Sequence, residues 1–173
     1  EVRITNRAGA SPRTFAGDQF VTPRWDRDGV LWLVDRAGGA SRVRLVRDES
    51  IVTLPIGSLA GRTISTFSLS PGGSRYAVTA DGNLYVGLIR RNDKNQILRL
   101  TDPQRVTIDV ANPTSAIWET DTRLAYLGGG TSARQIRLVG IDGSGGEGRI
   151  GAGALLPDVG ASTLVLGSGD PPA

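Results

Sequence analysis

An all-β fold of repeated four-stranded units is what this sequence predicts, on three observations. Three stretches share one pattern of apolar anchor, polar turn and apolar strand: residues 25–34, 69–78 and 118–127. Their anchors Trp25, Leu69 and Trp118 stand 44 and 49 residues apart, within the period of roughly 40–50 residues at which four-stranded propeller blades recur. No segment sustains a helical period. The predicted class is therefore a β-propeller: blades of four antiparallel strands, three of them complete, with partial blade strands at both ends. Each such unit leaves a face that it cannot bury alone, so neighbours must stack.

Taken in order, residues 1–18 read as the outer strands of a preceding blade. Glu1-Val2-Arg3-Ile4-Thr5 looks like a third strand and Ser11-Pro12-Arg13-Thr14-Phe15 like a fourth. Blade one spans 19–62, blade two 63–112 and blade three 113–156. In each, a Gly- or Asp-rich turn follows the second strand: Asp35 to Gly39, Ala80 to Asn83 and Gly128 to Thr131. Gly and Asn tolerate the positive φ of tight hairpins. A strictly alternating third strand comes next: Arg42 to Val46, Asn83 to Val86 and Gln135 to Val139. Period two puts Val43 and Leu45 on one face, Arg42 and Arg44 on the other. Weaker fourth strands are Ser50 to Leu54, Gln96 to Leu100 and Glu147 to Ile150. Residues 157–173 hold the first strand of a closing blade, Ser162 to Leu166, and a Gly/Pro tail expected to be disordered. The chain thus reads as part of a larger propeller whose other blades lie outside it.

Composition narrows the chemistry. With no Cys and no His, disulfides, Cys/His zinc sites, Cys nucleophiles and Ser-His-Asp triads are impossible within the chain. No apolar run reaches the ~18 residues of a membrane-spanning helix. Of 20 basic residues only Lys94 is Lys, a skew typical of a G+C-rich genome. The net charge of +3 comes from Arg scattered among 17 acids, without the basic stripe that nucleic acid requires. Neither nucleic-acid binding nor any cofactor is expected.

Three ordered pieces carry a resemblance: Phe20-x-x-Pro23-x-Trp25-Asp26 with Gly29-x-Leu31-Trp32; Leu69-Ser70-Pro71-Gly72-Gly73-x-Arg75-Tyr76-Ala77-Val78; and Leu84-Tyr85-Val86-x-x-Ile89-x-Arg91. Together they resemble the propeller domain of the actinobacterial LpqB lipoproteins over essentially the whole chain. The resemblance implies a cell-envelope protein held to the outer face of the plasma membrane by a lipidated cysteine far upstream, beyond a GerMN-type domain. It further implies a non-enzymatic role, in which the propeller binds the extracytoplasmic part of a sensor histidine kinase (MtrB-like) and modulates signalling in envelope growth and division. It supplies no catalytic residues.

Several residues invite a functional reading. Asp26, Asp28, Glu119 and Asp121 occupy equivalent turns of different blades. Converging on one rim, they would form an acidic site for binding or hydrolysing glycans, which needs two carboxyls about 5–9.5 Å apart. That is the alternative to the kinase-accessory reading. Asp26-x-Asp28-Gly29 looks like the start of a calcium loop, but the twelfth position, which needs Glu, is Ala37. A hairpin turn is the simpler reading. The glycine runs 128–132 and 143–146 precede no predicted helix and read as hairpin tips, not phosphate loops. Trp25, Trp32 and Trp118 could stack on sugars; the register of Trp25 and Trp118 with Leu69 favours packing between blades. Arg90, Arg91 and Lys94, on a charged tip running from 90 to 95, are the expected partner contacts.

Overall fold

The computed structural model describes residues 2–4, 13–15, 19–47, 50–109, 111–129, 135–144, 154–156 and 165–167. It is an array of antiparallel meanders. Strands β1 (Val2–Ile4) and β2 (Arg13–Phe15) pair with each other. Sheet one runs β3 (Gln19–Trp25), β4 (Leu31–Ala37), β5 (Ala40–Arg47), β6 (Ser50–Leu54) in chain order. Sheet two holds β7 (Ile64–Leu69), β8 (Arg75–Ala80), β9 (Asn83–Arg91), β10 (Ile97–Leu100) and β11 (Gln104–Val106). Sheet three holds β12 (Ser115–Trp118), β13 (Arg123–Gly128) and β14 (Gln135–Gly140). Finally β15 (Ala154–Leu156) pairs with β16 (Val165–Gly167).

The meander follows from the turns. Gly29 and Gly38 sit at φ 73° and 60°, where an L side chain is disfavoured. Alternation then assigns the faces. Trp32, Val34, Val43 and Leu45 of sheet one pack with Phe67, Tyr76, Val78 and Tyr85 of sheet two in one buried cluster. The opposite face of sheet two sends Ala77 and Leu84 into a second cluster with Trp118, Leu124 and Tyr126 of sheet three. So sheet two buries one face on the blade before it and the other on the blade after, as a propeller requires.

At the centre of the first interface three rings stack. Trp32 and Phe67 have centroids 5.7 Å apart, and Phe67 and Tyr76 5.8 Å. Such pairs contribute about 0.5–1.5 kcal/mol each beyond the area they bury. Tyr76 lies across Gly87, its cross-strand partner, where any Cβ would enter the phenol ring. Its hydroxyl donates to Thr101 O at 2.7 Å, and burial pushes its pKa well above the ordinary tyrosine value. Sheet three is tied down similarly: Trp118 Nε1 donates to Ser68 O at 3.3 Å, and Tyr126 donates to Asp109 at 2.5 Å.

Four expectations need correction. The turn before β8 is one residue longer than its counterparts: Trp25 pairs with Leu31 and Trp118 with Leu124, but Leu69 pairs with Tyr76. Laying 25–34 directly over 69–78 therefore slips by one beyond the turn, and Tyr76 matches Leu31, not Trp32. The third strand of blade two runs on to Arg91, and its outer partner is split into β10 and β11. Pro103, which has no N–H to donate, lies in the break. There Thr101 exchanges bonds with Leu88, while Asp102 turns away to accept from Ser58 N at 2.8 Å. Trp25 is 53% exposed, whereas Trp32 and Trp118 are buried at 1% and 9%. Anchors pack on the preceding blade; Leu69 and Trp118 have one among the described residues, but Trp25 meets no such surface there. The charged tip begins at Asn92, because Arg90 and Arg91 belong to β9. The expected strand at 147–150 lies outside the described residues, and the strand expected at 162–166 is described only from Val165, in β16.

If the stacked rings hold blade one to blade two, Phe67→Ala lowers stability by about 3–5 kcal/mol. Leu98→Ser, at a side chain 57% exposed on β10, stays within about 0.5 kcal/mol. Urea unfolding with an unchanged m-value measures both.

Candidate functional site

The turns that open each blade lie along one rim, and hydrogen bonding determines what their acids can do. Asp26 Oδ1 accepts from the N–H groups of Asp28 and Val30, both at 2.9 Å. Its Oδ2 accepts from Trp32 Nε1 at 3.1 Å. One carboxylate thus closes the turn and fixes the indole that packs on blade two. Arg91 of blade two completes the arrangement. Its guanidinium lies 3.6 Å from Asp26 Oδ2 and 3.2 Å from Asp28 Oδ2, with the Asp26 side chain only 3% exposed. Asn95 Nδ2 also donates to Asp28, at 3.1 Å.

Blade three reaches blade two in the same way. Gly72 N donates to Asp121 Oδ1 at 2.7 Å, and a Cβ at Gly72 would stand 2.6 Å from the other oxygen of that carboxylate. Only glycine permits the approach. Glu119 pairs with Arg123 across its own turn at 3.1 Å. Each of the four acids is therefore already engaged: Asp26 caps its own turn and with Asp28 meets Arg91, Asp121 binds the neighbouring turn, and Glu119 pairs with Arg123. Among the described residues, no group of acids is arranged to hold a metal ion. Beyond the rim, the glycine tip expected at 143–146 is described through Ser144, where Gly143 N bonds to Gly140 O. The hydroxyl and N–H of Ser144 hold the Asp142 carboxyl below its ordinary range. The run 128–132 is described only to Gly129.

The three expected contact cations separate. Arg91 faces inward and joins two blades. Arg90 points the other way, as alternation demands, and is exposed; so is Lys94, in the turn where Asn92 Oδ1 accepts from Lys94 N and Gln96 N. Sequence reading missed Arg99, which lies directly opposite Arg90 in the β9–β10 ladder and is also exposed. Neither Arg90 nor Arg99 has an acidic partner among the described residues. Like charges directly opposite one another are destabilising. The bulge at Leu98, between the registers of Ile97 and Arg99, creates this pairing. No sequence signal marks where a bulge falls, so Arg99 was hidden.

Antiparallel meander blades packed face to face on aromatic clusters, with their opening turns linked to the next blade, define a β-propeller domain. Its kinship is specific. The family model for the lipoprotein LpqB beta-propeller domain matches residues 1–163, so the chain belongs to that family. Lipoprotein LpqB of Streptomyces avermitilis is 33% identical over 153 residues, 82% of this chain and 24% of the relative. Lipoprotein LpqB of Streptomyces coelicolor is 29% identical over 155 residues, 83% of this chain and 25% of the relative. The chain thus spans about a quarter of the length of these relatives. A solved structure of the Trichoderma reesei carbohydrate-active enzyme family AA12 is similar at 15% identity and TM-score 0.49, covering 76% of this chain and 38% of that one.

Removing the Asp26 carboxylate strands the Trp32 indole N–H and two turn N–H groups, while Arg91 keeps Asp28 and the Asn95 carbonyl. Asp26→Ala should cost about 1–3 kcal/mol for each donor left buried without an acceptor, and Glu119→Ala, at a largely solvated pair, under about 1 kcal/mol. Thermal and urea unfolding of the two variants side by side provide the check.

Proposed function

We propose that this chain is the non-catalytic docking module of a cell-envelope lipoprotein, binding the extracytoplasmic part of a sensor histidine kinase and biasing its signalling. Family membership supports the lipoprotein setting, since the relatives carry the name lipoprotein LpqB. The family's propeller is the part that this chain supplies.

The observation that carries the docking reading is the Arg90–Arg99 cross-strand pair. Two guanidinium groups without an acidic partner among the described residues face each other across β9 and β10, next to Leu98, a side chain 57% exposed, and close to Lys94 on the same hairpin. Alone, that arrangement costs stability; an acidic partner surface turns it into an attraction and covers the leucine. Arginine forks suit bidentate contact with carboxylates. The rest of the module is stiff: the rim turns are bound to one another, so the hairpin is presented on a rigid platform. The engagement of Asp26, Asp28, Glu119 and Asp121 in turn and blade contacts supports the non-catalytic side of the proposal.

A propeller bound to a two-state sensor shifts its output only by the difference in affinity for the two states. On this reading Arg90 and Arg99 bring the partner together, and the kinase supplies the two states.

Calorimetric titration of the chain and of the full-length protein against the purified sensor domain tests the proposal. Arg90→Glu with Arg99→Glu is expected to weaken binding at least about tenfold and to flatten its salt dependence. Glu119→Ala should leave it unchanged. Binding indifferent to the charge reversal, or no binding by the full-length protein, rejects the docking face.

A further inference from the structure

The first strands of the three blades, β3, β7 and β12, lie side by side, and each ends its own sheet. A cavity of about 140 Å³ lies along them, lined among others by Arg24 of β3, Ser65, Thr66 and Phe67 of β7, and Ser115 of β12. Arg24 reaches it because β3 carries a bulge. Val21 pairs with Val34 and Arg24 with Trp32, so two residues oppose one in between. Simple alternation would place Arg24 on the face opposite Val21; the extra residue turns it onto the Trp32 face, toward blade two. Pro23, which cannot donate to a ladder, lies in the bulge. A second bulge, at Ser65 between Ile64 and Thr66, distorts β7 where it borders the same cavity.

The guanidinium is unmatched. Arg24 is half-buried, and among the described residues no carboxylate lies within ion-pair distance of it. Burial alone draws its pKa down from the ordinary arginine value, with no opposing acid, yet arginine remains charged at neutral pH. In the larger neighbouring cavity, about 350 Å³, the charged groups have partners. There Asp35 is held by Arg42 and Arg44 at 3.1 and 2.6 Å, and Arg36 donates to Thr63 at 2.5 Å. Around Arg24, in contrast, the polar groups are hydroxyls that can donate, together with the unpaired edges of terminal strands. A half-buried cation without a carboxylate beside it, among hydroxyls that can turn to donate, is complementary to an anion, and arginine's fork fits planar or tetrahedral oxyanions. Water occupies about 30 Å³ per molecule in the liquid, so the space takes one oxyanion group and a few attached atoms.

We infer that this groove is a binding site for a small ligand bearing a carboxylate or phosphate group, with Arg24 as its anchor and Ser65 and Ser115 as hydroxyl donors. It is separate from the Arg90–Arg99 face and independent of any partner there.

The test is titration of the purified chain with inorganic phosphate and, separately, with glutarate, followed by amide and Arg side-chain NMR shifts. Saturable shifts centred on Arg24 and Ser65 are expected with at least one probe, and the responding probe identifies the head group. Arg24→Gln should weaken that binding at least tenfold, Ser65→Val should weaken it measurably, and Arg90→Gln should not change it. In anion-free buffer Arg24→Gln should melt no lower than the parent, because it removes a charge without a partner. No saturable shift up to 10 mM of either probe, equal binding by the Arg24 and parent chains, or a lower melting temperature for Arg24→Gln overturns the assignment.

Discussion

The Asp26 carboxylate is the constraint on which the first half of this propeller depends. It closes the opening turn of blade one through two backbone N–H groups, orients the Trp32 indole and lies beside Arg91 of blade two. Local and global structure therefore share one side chain. The orientation it gives Trp32 extends through Phe67 to Tyr76 as a stack of rings, and Tyr76 in turn hydrogen-bonds Thr101 beside the split outer strand of blade two. Where a carboxylate is largely withdrawn from water, its partners decide whether it stabilises or destabilises. Here every oxygen has one.

The blades are not linked identically. At the first junction an arginine of the later blade reaches back to the turn of the earlier one. At the second, an aspartate of the later blade reaches back to a glycine N–H of the earlier one. Both devices place a charged side chain against the adjacent opening turn, and both hold the rim rigid. An acidic rim in sequence is thereby a set of turn caps in space. Charge that escapes this scheme stands out: the Arg90–Arg99 pair on the outer strands, and Arg24 among the inner ones.

How much of this was legible in the sequence depended on whether the information was local. Period-two alternation placed Val43 and Leu45 inside and Arg42 and Arg44 together on the other face, and turn residues marked the hairpins, because strand faces and positive φ are properties of a few neighbouring residues. Bulges are not. The extra residues in β3, β7 and β10 change which side chains oppose one another without any composition to mark them. They account for the hidden Arg24 and Arg99. The longer turn before β8 misaligned Tyr76 for the same reason. Trp25 was read from its register with Leu69 and Trp118, but burial at that position depends on a preceding blade face. In the sequence Arg91 looks like a tip residue because the length of β9 is set by its partners, β10 and β11, and not by its own residues.

Coupling between Asp26 and Arg91 tests the account most directly. A double-mutant cycle with Asp26→Ala, Arg91→Ala and the combined variant, followed by urea unfolding, isolates the link between blades one and two. The account predicts a coupling energy of about 1–3 kcal/mol, with the double variant much less destabilised than the sum of the single changes. Additivity within about 0.3 kcal/mol would mean that Asp26 serves its own turn alone and that blade one is held to blade two by apolar packing without it.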